Sequence, residues 1–251
     1  MSALTISLLI FLLIVGGILL GSALRKMLPQ QHLGKDAQDV VRLGVGLIAT
    51  MAALVLGLLI ASAKSSYDAQ ATQVRQITAN ILLLDTLLAQ YGAEAQPIRQ
   101  GIRAGLPALA DRMWAEKREN KTGNFETIAA NERIFAAIQR LSSTDSLQKS
   151  LQSRATQVAT DIAQTRMLLF VGTGESMPRP FLVIFVFWLV IIFASFSLFS
   201  ELNRTVTALL ALFAFSASCG IFLILELSQP FSGLMMISSE PLRHALAPLG
   251  T

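Results

Sequence analysis

Charge is missing from four long stretches of this chain. Residues 1–24, 43–63, 181–200 and 205–225 contain no Asp, Glu, Lys or Arg, although the whole chain carries 20 basic and 16 acidic residues. About 20 consecutive apolar residues make a helix long enough to cross a hydrocarbon core of about 30 Å. Lipid offers no partner to a spanning backbone, so each segment must bond within itself. The pattern predicts an all-α polytopic membrane protein with four transmembrane helices. It places helices one and two in 1–63, a helical soluble insert in 64–180, helices three and four in 181–227, and an amphipathic tail in 228–251. Residues 1–24 lack the basic start of a secretory leader, and Arg25 and Lys26 follow them, so an uncleaved span is expected.

Reactive side chains are as scarce. Cys219 is the only cysteine, which excludes an intrachain disulfide. Its mid-span place reads as a small apolar filler. His32 and His244 stand alone, on a loop and a tail. No metal-ligand spacing, glycine-rich phosphate loop or G-x-S-x-G turn occurs. No enzyme activity, cofactor or metal site is therefore expected. Ionisable residues are absent from the span interiors; Arg42, Lys64 and Glu226 lie at the edges, which disfavours proton-coupled transport. The net charge of +4 is modest, and the insert's 14 Lys/Arg against 11 Asp/Glu read as a solvated surface. No nucleic-acid partner is expected.

What is present is patterned. Gly17 and Gly21 form a small-xxx-small pair that lets another helix approach closely. In span two, Ala49, Ala53, Gly57, Ala61 and Ser65 recur every four residues, as do Leu43, Leu47, Met51, Val55 and Leu59. The first row is read as a helix-packing face and the second as a bulky face opposite it. Plain bundle packing explains both and is the commoner case; a pore-lining helix with an apolar constriction also fits. No break follows span two. Val74, Ile77, Ile81, Leu84, Leu88 and Tyr91 alternate spacings of three and four, a bundle seam, so the helix is expected to run on to Gly92.

Pro97 suits a helix start, and Gly105 with Pro107 should bend that helix. A charged loop is expected over 116–123, caps at Asn124 and over 142–145, and a loop over 172–180. Arg25, Lys26, Lys35 and Arg42 surround the first loop. Multiplied by symmetry they would ring a pore mouth and concentrate anions. As single copies they are simple topology determinants, the commoner role.

The runs 40–50 (VVRLGVGLIAT), 56–67 (LGLLIASAKSSY), 193–199 (FASFSLF) and 224–233 (ILELSQPFSG), with 237–239 (ISS) and 241–243 (PLR) after them, resemble the bestrophin-like family of bacterial membrane proteins. The resemblance implies distant kinship to bestrophins, which are pentameric anion channels with four spans, a helical cytosolic body and a second span lining an apolar neck. It points to a homo-oligomer conducting anions such as chloride, with Met51, Val55 and Leu59 as neck candidates. Bestrophins follow a Pro-Phe after span four with an acidic calcium clasp. Here Pro230-Phe231 precedes Ser232, Gly233, Leu234 and Met235, so no calcium site is expected.

The resemblance also implies a bacterial inner membrane, with the insert and both termini cytoplasmic. The basic residues near the membrane do not fix the orientation: Arg25, Lys26, Lys35, Arg42 and Arg204 balance Lys64, Arg75, Arg166, Arg179 and Arg243. The rival reading is a sensor or scaffold whose insert binds a partner or ligand.

Overall fold

The computed structural model describes residues 2–29, 34–115, 133–143, 145–172, 179–200, 203–231, 233–238 and 240. Helices make up nearly all of it, and no strand occurs among the described residues. The expected loop at 116–123, the Asn124 cap, His32, His244 and most of the loop before span three lie outside the described residues.

α1 covers Ala3–Met27, opened by Ser2, whose Oγ accepts the backbone N–H of Thr5 at 3.2 Å. It ends where Leu28-Pro29 prevents continuation. α2 covers Lys35–Tyr91, 57 residues without interruption, about 85 Å at 1.5 Å per residue. It stops at Gly92, whose φ of 119° is open to glycine and costly for other residues. A 3₁₀ turn over Ala93–Ala95, unforeseen in the sequence, leads into α3 (Gln96–Ala115), which contains Pro107 within its length. Residues 133–139 form α4. α5 covers Ser146–Gly172, with Asp145 Oδ1 accepting the Ser146 N–H at its start. α6 (Arg179–Phe199) and α7 (Arg204–Leu227) complete the chain's long helices. Among the described residues four helices are long and apolar enough to span a membrane: α1, α2, α6 and α7.

The chain divides into two compact units. The first contains Met1–Tyr67 and Ser176–Gln229. Its core joins Ile10, Ile14 and Ile18 of α1 to Val45 and Ala52 of α2, Phe185, Leu189, Ile192 and Phe193 of α6, and Leu210, Ala214 and Ile221 of α7. The glycine pair does the work expected of it. A Cβ on Gly17 would stand 3.0 Å from Val190 Cγ1, and one on Gly21 would fall on the carbonyl of Ala194, so α1 and α6 meet backbone to backbone. Two hydroxyls fasten α1 from either side: Ser197 Oγ donates to Ile18 O and Ser218 Oγ to Ser7 O, both at 2.7 Å and buried. Cys219, expected as filler, is exposed instead, because its neighbour Ser218 holds the inward position. Glu226 lies in the last turn of α7, at the edge of the span as expected, and is buried.

The second unit contains Asp68–Glu175 and Pro230–Thr251. All six seam residues of α2 are buried there, together with Ile102 and Leu106 of α3, Ile138 of α4, and Ala155 and Val158 of α5. Gln152 Nε2 donates to the carbonyls of Ile138, Gln139 and Leu141 and so closes the end of α4.

Candidate functional site

Within the first unit α2 is buried along one stripe only. Val41, Val45, Ile48, Ala52, Val55 and Leu56 pack into the main core, and Leu59 and Ala63 into a smaller cluster with Ile224 and Leu227. Positions 41, 45, 48, 52, 55 and 59 alternate spacings of four and three, the repeat that stays on one side of a helix, and Ala63 follows one turn on. The opposite side is open. Only 17% of α2's apolar window is buried, against 33% in α1 and 28% in each of α6 and α7.

The open side has two parallel edges. One carries Leu43, Leu47, Met51, Leu54 and Leu58, all exposed. The other carries Gly46, Thr50, Ala53, Gly57 and Ala61, also exposed, with no atom within 4 Å of where a Cβ would stand at Gly46 or Gly57. Thr50 Oγ1 donates to Gly46 O at 2.9 Å, which spends its polar hydrogen inside the helix. The exposed residues of α1 differ: Leu4, Leu8, Leu12, Leu19 and Leu20 give it a bulky, lipid-like coat.

The four-residue rows seen in the sequence are divided between these sides. Four residues advance an α-helix by about 400°, so each step drifts about 40°. Over a row of five the drift approaches half a turn. Of the neck candidates, Met51 is 45% exposed on the open side, Val55 packs into the core, and Leu59 is 5% exposed beneath Ile224 and Leu227. Of the packing candidates, Ala49 touches the chain's own core, whereas Ala53, Gly57 and Ala61 look outward. The structure thus does not gather Met51, Val55 and Leu59 on one surface. Leu54 and Leu58, passed over in the sequence because a spacing of four skips them, complete the bulky edge at its Lys64 end. Alternating three-four spacing was the signal that would have found them.

The basic candidates lie at one end of this face. Arg25 and Lys26 occupy the last turn of α1, where cations suit the helix dipole. Lys35 opens α2, and Arg42 is exposed about 100° round the helix from Leu43, on the side of Ala49 and Ala53. Asp36 and Asp39 are exposed in the same region and offset part of this charge. At the other end of the span, Lys64 Nζ lies 5.4 Å from the centre of the Tyr67 ring.

In the second unit the exposed positions of α2 include a mostly polar row, Asp68, Thr72, Gln76, Ala79, Leu83, Thr86 and Gln90, again three or four apart. Inside that unit is a charge cluster the sequence analysis missed. Arg99 Nε donates to Asp85 Oδ1 at 3.0 Å and its Nη2 to Oδ2 at 2.8 Å, while Arg103 Nη2 reaches Oδ2 at 3.3 Å. Burial pushes the Asp85 carboxyl up, but the two guanidiniums outweigh it and hold the group below its ordinary 3.8. The same bonds raise Arg99. Burial, and then the charge of Glu94, raises Tyr91. An acid between Leu84 and Leu88 in an apolar seam was the available signal. Among the described residues no three His, Cys, Asp or Glu side chains gather as metal ligands.

The geometry is that of a helical bundle with four helices able to cross a membrane, the second of which leaves one face open. No curated protein and no solved structure matches the chain. A family profile described as a Bestrophin-like domain matches residues 10–242, nearly the whole length, with three of the four spans complete and most of the first. The chain therefore belongs to the bestrophin-like family, a membrane-associated one.

Proposed function

We propose that this protein is a homo-oligomeric channel, pentameric like the bestrophins it resembles, that conducts anions such as chloride through a passage lined by the open face of α2. The observation that carries the reading is that face, left uncovered among the described residues and edged with small residues instead of a uniform lipid coat. Small residues let helices approach closely in a membrane. The edge formed by Gly46, Ala53, Gly57 and Ala61 would accept a neighbouring copy's α2. The bulky edge would then turn to the axis, with Leu47, Leu54 and Leu58 as an apolar constriction. Such a constriction gates by dewetting and favours weakly hydrated ions.

Arg25, Lys26, Lys35 and Arg42, four bases against Asp36 and Asp39, would leave each copy's mouth net positive and raise the local anion concentration. The polar run of α2 beyond Tyr67 would form an inner vestibule. Following the resemblance, the protein is assigned to a bacterial inner membrane with insert and termini cytoplasmic. No catalytic or cofactor-dependent step belongs to this reading.

Chloride flux from liposomes containing the purified protein tests it, with insertion and particle mass measured on the same sample. Flux above empty vesicles from a ring-sized assembly supports the channel. An inserted monomer or dimer without flux defeats it. That outcome favours a sensor, for which the uninterrupted α2 would also serve.

A further inference from the structure

The segment after α7 exposes three bulky apolar side chains in succession. Leu234 is 78% exposed, Met235 41% and Met236 54%. Such a run on a water-facing loop is unfavourable unless something covers it. The loop that carries them is not loose. Ile237 N–H donates to Pro230 O at 2.7 Å, closing its base, and Gly233 adopts a φ of 100° to make the turn. Its base is pinned to α3: Trp114 Nε1 donates to Ile237 O at 2.9 Å, and the Trp114 and Phe231 rings meet edge to face at 5.8 Å. Pro230, Phe231 and Ile237 are buried, which leaves the Leu-Met-Met tip as the outward part of an anchored loop.

The position of the tip in the chain identifies its surroundings. Leu227 ends a membrane span, and six residues, 228–233, separate it from Leu234. Fully extended they reach at most about 25 Å. The other exposed large apolar residues described in this unit are Leu83, Leu147, Met167 and Leu168. Two of those four, Met167 and Leu168, also sit where the chain turns back to the membrane, near the end of α5 and ahead of α6. Exposed apolar bulk outside the spans thus concentrates at the entry and exit points of the bilayer.

We propose that Leu234, Met235 and Met236 form an interfacial knuckle that inserts among the acyl chains and headgroups of the membrane surface, and that Trp114 ties this lipid contact to α3. Flexible Met side chains adapt to an irregular, fluid partner, and three apolar side chains suit shallow insertion, not spanning. The proposal stands independently of ion conduction.

The test uses full-length protein in phospholipid vesicles, in a Cys219→Ser background. A bimane dye is attached through Met235→Cys, with the exposed Leu147→Cys, 32 residues ahead of α6 in the chain, as a control. Quenching by nitroxide-labelled phospholipid is compared with quenching by aqueous iodide. The expected result is several-fold stronger lipid quenching at 235 than at 147, with iodide in the opposite order. Equal lipid quenching at both sites, or dominant iodide quenching at 235, overturns the proposal. So does protection of 235 from both quenchers, which would mean that protein covers the tip. None of these outcomes alters the chloride-flux result, so the two readings fail separately.

Discussion

Gly21 of α1 lies directly on the backbone carbonyl of Ala194 in α6, with no room for even one carbon between them. Gly16, one residue from the other glycine of the pair, faces open space. The contrast makes a clean comparison. Gly21→Ala should force α1 away from α6 and cost about 1–3 kcal/mol, the usual range for overpacking. Gly16→Ala should be neutral or slightly stabilising, because alanine is the better helix former. Thermal unfolding of both variants in the same detergent checks this.

Ser197→Ala and Ser218→Ala each remove a buried hydroxyl that bridges to α1. Interhelical hydrogen bonds in membranes are worth about 0.6 kcal/mol each and seldom above about 1.7. Each single variant should therefore unfold only slightly earlier. The bonds are remote from one another along α1, at Ile18 and Ser7, so the double variant should show the sum.

Asp85→Asn should weaken the insert far more than either serine change. It leaves the guanidiniums of Arg99 and Arg103 facing a neutral amide in a buried setting. Breaking a buried pair costs about 3–5 kcal/mol; about 3 is expected here because the Arg103 side chain is 30% exposed. Limited proteolysis within 68–172 measures it.

The same carboxylate gives the insert an acid limit. The Asp85 pKa is lower folded than unfolded, so its contribution is present above the ordinary value of 3.8 and is lost as the pH falls through the lowered one. Wild-type insert should become protease-sensitive as the pH drops below that value. Asp85→Asn should show a smaller change over the same interval.

Much of this architecture was legible in the chain. Charge-free windows gave the spans, and Gly92 marked the end of α2 because no other break stood between Lys35 and it. The seam from Val74 to Tyr91 could be read because its spacing alternates three and four. The candidate face was misread for the complementary reason: rows at a strict spacing of four wind around the helix, carrying Leu59 into the core and Ala61 out of it. The Asp85 cluster and the Trp114–Ile237 bond join residues 14 to 123 positions apart, and only tertiary contact reveals them.

Cysteine scanning of α2 in chloride-loaded liposomes, in the Cys219→Ser background, tests most directly whether the open face lines the passage. A charged, water-soluble thiol reagent should block flux when cysteine replaces Leu47, Leu54 or Leu58, and leave it unchanged at Ala52 or Leu59. Block at Ala52 and Leu59 with none at Leu54 and Leu58, or no sensitivity anywhere on a conducting α2, would contradict the assignment.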